Sequence, residues 1–166
     1  MVEVEVAGVK VDLRSNSPVL LLQELASPYR VIPIFIGSPE ANSIDLALSR
    51  ISPPRPLTHD LMTAILEEID AQLIQVVITE VRNGTYFAEL VIELGGIERR
   101  ISSRPSDAVA LALRAGAAIF VDDVVMNAEG TVFDEPAGAE ATQEEIVGEF
   151  RDFLKSVKPE DFGERD

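Results

Sequence analysis

The chain of 166 residues carries 29 acidic side chains against 14 basic ones and a single histidine, a formal net charge of -15. A length of this order suits one domain that buries roughly 70% of its unfolded surface, and 46% hydrophobic residues with a mean hydropathy of +0.16 set it apart from disordered chains. The absence of cysteine excludes disulfide scaffolds, thiolate zinc sites, iron–sulfur clusters and cysteine nucleophiles.

The charge is unevenly spread. Up to Val121 there are 15 acidic and 10 basic residues, nine of the latter arginine, whereas the last 45 residues hold 14 acidic and 4 basic ones. The start, Met1-Val2-Glu3-Val4-Glu5-Val6, alternates charge with apolar residues where a signal peptide needs a basic head and an apolar run. Uncharged stretches such as Val31 to Pro39 are far shorter than the roughly 20 residues that span a bilayer. The expectation is a cytoplasmic protein without a membrane partner.

Taken in chain order, Val2 to Leu13 alternates in strand fashion, Val19 to Leu25 is a short apolar run and Tyr29 to Ile36 is β-rich. Turn residues separate them, so an antiparallel meander is expected. Ser38-Pro39-Glu40 opens a helix with Ser38 as the expected N-cap, and the helix ends before Pro53-Pro54. A second helix starts near Thr58, with Leu61, Met62, Ile65, Leu66 and Ile69 at helical spacing. Leu73 to Val81, Thr85 to Leu94 and Ile97 to Ser102 form a second meander, its turns marked by Asn83-Gly84 and Gly95-Gly96. A third helix begins at Arg104-Pro105-Ser106-Asp107 and stops at Gly116. Ala117 to Val121 reads as a short strand, and Asp122 to Ala128 as a short helix.

The reading is an α+β (mixed α/β) fold of two meander-plus-helix units in a mixed sheet. Ile44-Asp45-Leu46-Ala47-Leu48 echoes Val109-Ala110-Leu111-Ala112-Leu113, so internal duplication is a candidate origin. Residues 1–133 form the domain and 134–141 a linker. Residues 142–158 form a C-terminal amphipathic helix whose Ile146, Val147, Phe150, Phe153, Leu154 and Val157 make one apolar stripe.

No nucleotide-binding glycine motif and no G-x-S-x-G elbow occurs, and one histidine without cysteine gives a conventional hydrolase triad little support. The densest polar clusters are Arg55-Pro56-Leu57-Thr58-His59-Asp60 and Ser102-Ser103-Arg104-Pro105-Ser106-Asp107, each leading into a helix N-terminus where free N–H groups favour anions. Arg55, Thr58, Arg104 and Ser106 are therefore candidates for binding phosphate. The plainer reading is that Thr58, Ser103 and Ser106 only cap helices. His59 has the ordinary pKa closest to neutrality and is the natural proton carrier. Glu40, Asp60 and Asp107 are candidate carboxylates for catalysis or for a divalent cation such as Mg²⁺ or Mn²⁺.

Four blocks in order, Val31-Ile32-Pro33-Ile34-Phe35-Ile36-Gly37 with Glu40-Ala41, Arg55 to Leu61, Gly84-Thr85-Tyr86-Phe87-Ala88 and Arg104 to Ala108, resemble the bifunctional nuclease domain family. The resemblance covers most of Val2 to about Met126. It implies an α/β domain and nuclease activity on DNA and RNA, with Glu40, Arg55, His59, Asp60, Arg104 and Asp107 lying in matching blocks. The acidity implies weak, salt-sensitive binding of such a substrate. The alternative is a non-enzymatic interaction or regulatory domain, a homodimer or other homo-oligomer, that binds an acidic ligand or a protein.

Overall fold

In a computed structural model, which describes residues 1–132, eight strands form a single mixed sheet with four helices. The first meander comprises β1 (Val2–Asp12), β2 (Ser17–Glu24) and β3 (Arg30–Phe35), and leads into α1 (Ser38–Leu48). After α2 (Thr58–Glu68), the second meander comprises β4 (Ala71–Arg82), β5 (Thr85–Leu94) and β6 (Ile97–Ser103), and leads into α3 (Pro105–Ala115). β7 (Ala118–Val121), α4 (Asp123–Glu129) and β8 (Thr131–Val132) complete the described chain.

The order across the sheet is β6-β5-β4-β7-β1-β2-β3-β8. Each meander is antiparallel throughout, as the turns predicted: Asn83-Gly84 and Gly95-Gly96 all take positive φ, the conformation a two-residue hairpin needs. β7 splices the meanders, running antiparallel to β1 and parallel to β4. The crossover through α3 makes that parallel register available.

One face of the sheet is covered by helices. Leu20, Leu22, Ile32, Val76, Ile78, Leu90 and Ile92 meet Ile44 of α1 and Val109 and Leu111 of α3 in one buried cluster. Each such side chain contributes about 1.5–3 kcal/mol on burial. In α3 the run Ala108 to Ala112 is buried at every position, because alternating alanines let neighbours approach closely. α2 is the opposite case: only His59 is buried, and its other side chains are partly or fully exposed.

The capping expectations need correction. Gly37, Leu57 and Arg104 stand at the N-caps of α1, α2 and α3, and none accepts a capping hydrogen bond through its side chain. Ser38, Thr58 and Ser106 lie inside their helices, and Ser103 closes β6. Pro39 and Pro105 fill first-turn positions, where the missing N–H costs nothing. The linker 134–141 and the helix 142–158 lie outside the described residues. No described helix is long and apolar enough to cross a membrane.

Candidate functional site

Three helices bring polar side chains to one place. α1 contributes Glu40 and Ser43, one turn apart; α2 contributes His59 and Asp60; α3 contributes Asp107, preceded by Arg104 at its cap. Arg104 Nη2 donates to Glu40 Oε1 at 2.8 Å and to Asp107 Oδ1 at 3.1 Å, while its Nε donates to Asp107 Oδ2 at 2.7 Å. His59 Nε2 lies 3.2 Å from Asp107 Oδ1, and Nδ1 lies 2.9 Å from Ser43 Oγ. Ser43 and His59 are buried, whereas the Arg104 side chain is 66% exposed. The result is a chain from a solvent-facing guanidinium, through a carboxylate, to a buried imidazole and a buried hydroxyl.

The electrostatics follow from these contacts. Burial pushes the Asp107 carboxyl up, but hydrogen bonds from Arg104 and His59 outweigh it and hold the group below the ordinary carboxylate range. An ionised carboxylate only accepts, so Nε2 is the nitrogen that carries a proton, and in the neutral ring Nδ1 accepts from Ser43 Oγ–H. The sequence Ser43–His59–Asp107 thus has the hydrogen-bond polarity of a serine triad, with its hydroxyl closed off inside the protein.

A second pair completes the network. Arg114 Nε donates to Asp60 Oδ1 at 2.6 Å, and its other nitrogens reach the carbonyls of Ala110 and Ser43 at 2.8 and 3.2 Å. Asp60 Oδ2 also accepts from the Leu57 backbone N–H at 2.8 Å. The Arg114 hydrogen bond, with that backbone bond, holds the Asp60 carboxyl below its usual range. Beside this pair opens a cleft of about 450 Å³ lined in part by Arg50, Ser52, Pro53, Pro56 and Leu113.

The family's sequence model, described as the bifunctional nuclease domain, matches residues 20–134, a span that includes every member of the network. The chain belongs to the bifunctional nuclease domain family. It is also 41% identical over 165 residues to proteins described as uncharacterized from two Mycobacterium tuberculosis strains, CDC 1551 / Oshkosh and H37Rv, covering 98% of both chains in each case.

Among the residues singled out from the sequence of this family member, Glu40, His59, Arg104 and Asp107 come together. Asp60 is engaged separately by Arg114, so the three carboxylates do not form one cation site. Among the described residues no group of three His, Asp or Glu is disposed to hold a metal. The donor set explains why: Glu40 and Asp107 direct their oxygens to one guanidinium, which already supplies the positive charge. Arg55 and Thr58 are exposed beside the start of α2, and Ser106 is buried. Among the described residues Ser103 Oγ finds no hydrogen-bond partner; it is buried, one residue before Arg104.

Sequence reasoning missed Ser43, Arg114 and Gly37. Ser43 sits beside Ile44 on the inward side of α1, and a hydroxyl on an otherwise apolar stripe is the signal that finds it. Arg114 stands in the last turn of α3 and meets Asp60 54 residues away, so no local pattern marks it. Gly37 leaves room for Glu40: a Cβ there would collide with Glu40 Oε2.

Proposed function

We propose that the protein hydrolyses phosphodiester bonds of DNA and RNA at the Glu40–Arg104–Asp107–His59 cluster. The observation that carries this reading is the placement of Arg104, two-thirds exposed and held by the carboxylates of Glu40 and Asp107, directly in front of the Asp107–His59 pair. A phosphate is a bidentate partner for guanidinium and competes with both carboxylates for it. Once Arg104 turns to the phosphate, the contact that most lowers the Asp107 carboxyl is lost, and Asp107 becomes the better proton acceptor.

In this reading Asp107 takes a proton from the attacking water, and His59 Nε2–H holds that carboxylate in place. Water oxygen bonds to phosphorus as the ester P–O bond breaks, and the leaving oxygen takes a proton from solvent. Arg104, joined by the exposed Arg55, offsets the charge that builds on the phosphoryl oxygens. In these steps the positive charge at the phosphate comes from the guanidinium that Glu40 and Asp107 share before it turns. The exposed Thr58 and the buried Ser103 hydroxyl lie at the same helix openings as these arginines.

The test is cleavage of labelled single-stranded DNA and RNA by highly purified protein, with and without Mg²⁺ or Mn²⁺. Wild-type protein cleaves, and Arg104→Ala and Asp107→Asn each lose about 10²-fold or more. Absence of cleavage under all conditions, or cleavage undiminished in both variants, overturns the reading. Binding of either nucleic acid without cleavage would point instead to a non-enzymatic domain.

A further inference from the structure

We propose that the cleft beside the Asp60–Arg114 pair is a base subsite, which holds the nucleobase of a nucleotide near the phosphate gripped by Arg104. The inference rests on the nuclease reading for its substrate, and adds where that substrate lies and which part of it is recognised.

α1 and α3 pack side by side, and both open at the Arg104 cluster, with Glu40 in the first turn of one and Asp107 in the first turn of the other. Both also end at the cleft, which takes Leu46 and Ala47 from the last turn of α1 and Leu113 and Arg114 from the last turn of α3. Glu40 to Ala47 and Asp107 to Arg114 are equal intervals, about 10 Å of helix. At about 3.4 Å per stacked nucleotide that is about three steps of a strand, and fewer of an extended one. One short piece of nucleic acid therefore reaches both places.

The lining decides what the cleft takes. Its walls are apolar: Leu46, Ala47, Ile51, Pro53, Pro56 and Leu113. At about 450 Å³ it falls within the range of small-ligand sites, about 300–1,000 Å³. Asp60 gives it a polar edge. Oδ1 accepts from Arg114 and Oδ2 from the Leu57 N–H, so each oxygen keeps a lone pair for a further donor. Two helix C-termini close on the same space, and the last turn of α1 holds no basic residue, so an anion is disfavoured inside. A cation is opposed by Arg50 and Arg114, which line the cleft as well. What suits these walls is a neutral, largely apolar group with N–H donors at its edge. A nucleobase with an exocyclic amino group is such a group, and uracil lacks that amino group.

The rim suits the rest of the nucleotide. Arg50 is exposed just past the end of α1 and holds a φ of 54°, a left-handed conformation that is costly for a side chain of its kind. Among the described residues its guanidinium meets no carboxylate, in a chain of net charge -15. An unpaired guanidinium beside an apolar cleft is placed for the phosphate that accompanies a bound base. The exposed Ser52 lines the same rim and offers a hydroxyl to the sugar.

The test uses isotope-labelled full-length protein and free mononucleotides, read by NMR without any cleavage. Millimolar GMP, AMP or CMP should shift the amide signals of Ala47, Ile51 and Leu113. UMP should bind about tenfold more weakly, because it lacks the amino contact to Asp60, and ribose 5-phosphate should leave those signals unmoved. Arg50→Gly should weaken GMP about fivefold, with a urea midpoint equal or higher, since glycine accepts the left-handed backbone freely. Ala47→Phe fills the cleft while sparing every polar side chain, and should abolish the shifts. Should that variant fail to fold, Arg50→Gly and the comparison of ligands still decide. The proposal is overturned if ribose 5-phosphate moves the same signals as GMP, if UMP binds as well as GMP, or if no mononucleotide moves them. Shifts undiminished in both variants overturn it too. Base binding at the cleft in a protein that cleaves nothing would remove the nuclease reading and leave this site standing. Cleavage without base binding would remove this site alone.

Discussion

Arg104 and Arg114 belong to one polar network, yet their removal should have opposite consequences. Arg114 is 11% exposed, its partner Asp60 28% exposed, and its guanidinium ties α3 to α2 through Asp60 and to α1 through the Ser43 carbonyl. Truncating it to alanine leaves Asp60 with only the Leu57 N–H and leaves the Ser43 and Ala110 carbonyls short of a donor. Breaking a fully buried pair costs about 3–5 kcal/mol; the partial exposure of Asp60 lowers the expectation to about 2–3 kcal/mol. Arg104 is 66% exposed, and its pairs with Glu40 and Asp107 should contribute at most about 1 kcal/mol. In urea unfolding, Arg114→Ala should therefore lower the midpoint by about 1–2 M at unchanged slope. Arg104→Ala should move it by a few tenths of that while removing cleavage activity. Equal midpoint shifts for the two variants, or a negligible one for Arg114→Ala, would refute the division into a clamp and a phosphate-facing group.

Three further outcomes are expected. Gly37→Ala should barely change stability, since only the flexible end of Glu40 must give way, but it should free Arg104 from Glu40 and alter substrate KM. Ser43→Ala should cost about 1–2 kcal/mol, because it leaves His59 Nδ1 buried without its partner, a loss measurable by thermal or urea unfolding. Glu24, held down by Arg30, and Asp60, held down by Arg114, have folded-state carboxyls below their ordinary 4.5 and 3.8. The unfolded chain therefore binds protons first as pH falls, so stability should hold near neutrality and decline progressively from about pH 5 downward. Glu24→Gln should flatten part of that decline, and a urea midpoint insensitive to acid would contradict it.

How much of this was legible in the residues differs by element. The two meanders and α1, α2 and α3 were readable because period-2 alternation, Asn-Gly and Gly-Gly turns and first-turn prolines are local signals, and each acts within a few residues. Caps were misread for a local reason as well: Gly37, Leu57 and Arg104 take the extended cap geometry without a side-chain cap bond of their own, and Asp60 reaches back to the Leu57 N–H, so Ser38, Thr58 and Ser106 stand at other positions. The four-residue β7 was visible as an apolar run, but its place as the seam between meanders was not, since pairing partners are set by distant strands.

The candidate site divides in the same way. From the sequence alone came the residue types able to handle phosphate and protons, and the two helix openings at which they stand. The tertiary structure decided which of them meet: Glu40, Arg104, Asp107 and His59 follow one another in a chain that ends at Ser43, with Asp60 drawn off by Arg114. The partners in the Arg104–Glu40 pair are 64 residues apart, and those in the His59–Asp107 pair 48. Helical spacing governs which side chains share a face of one helix, but the approach of three helices is set by what their apolar sides bury against the common sheet.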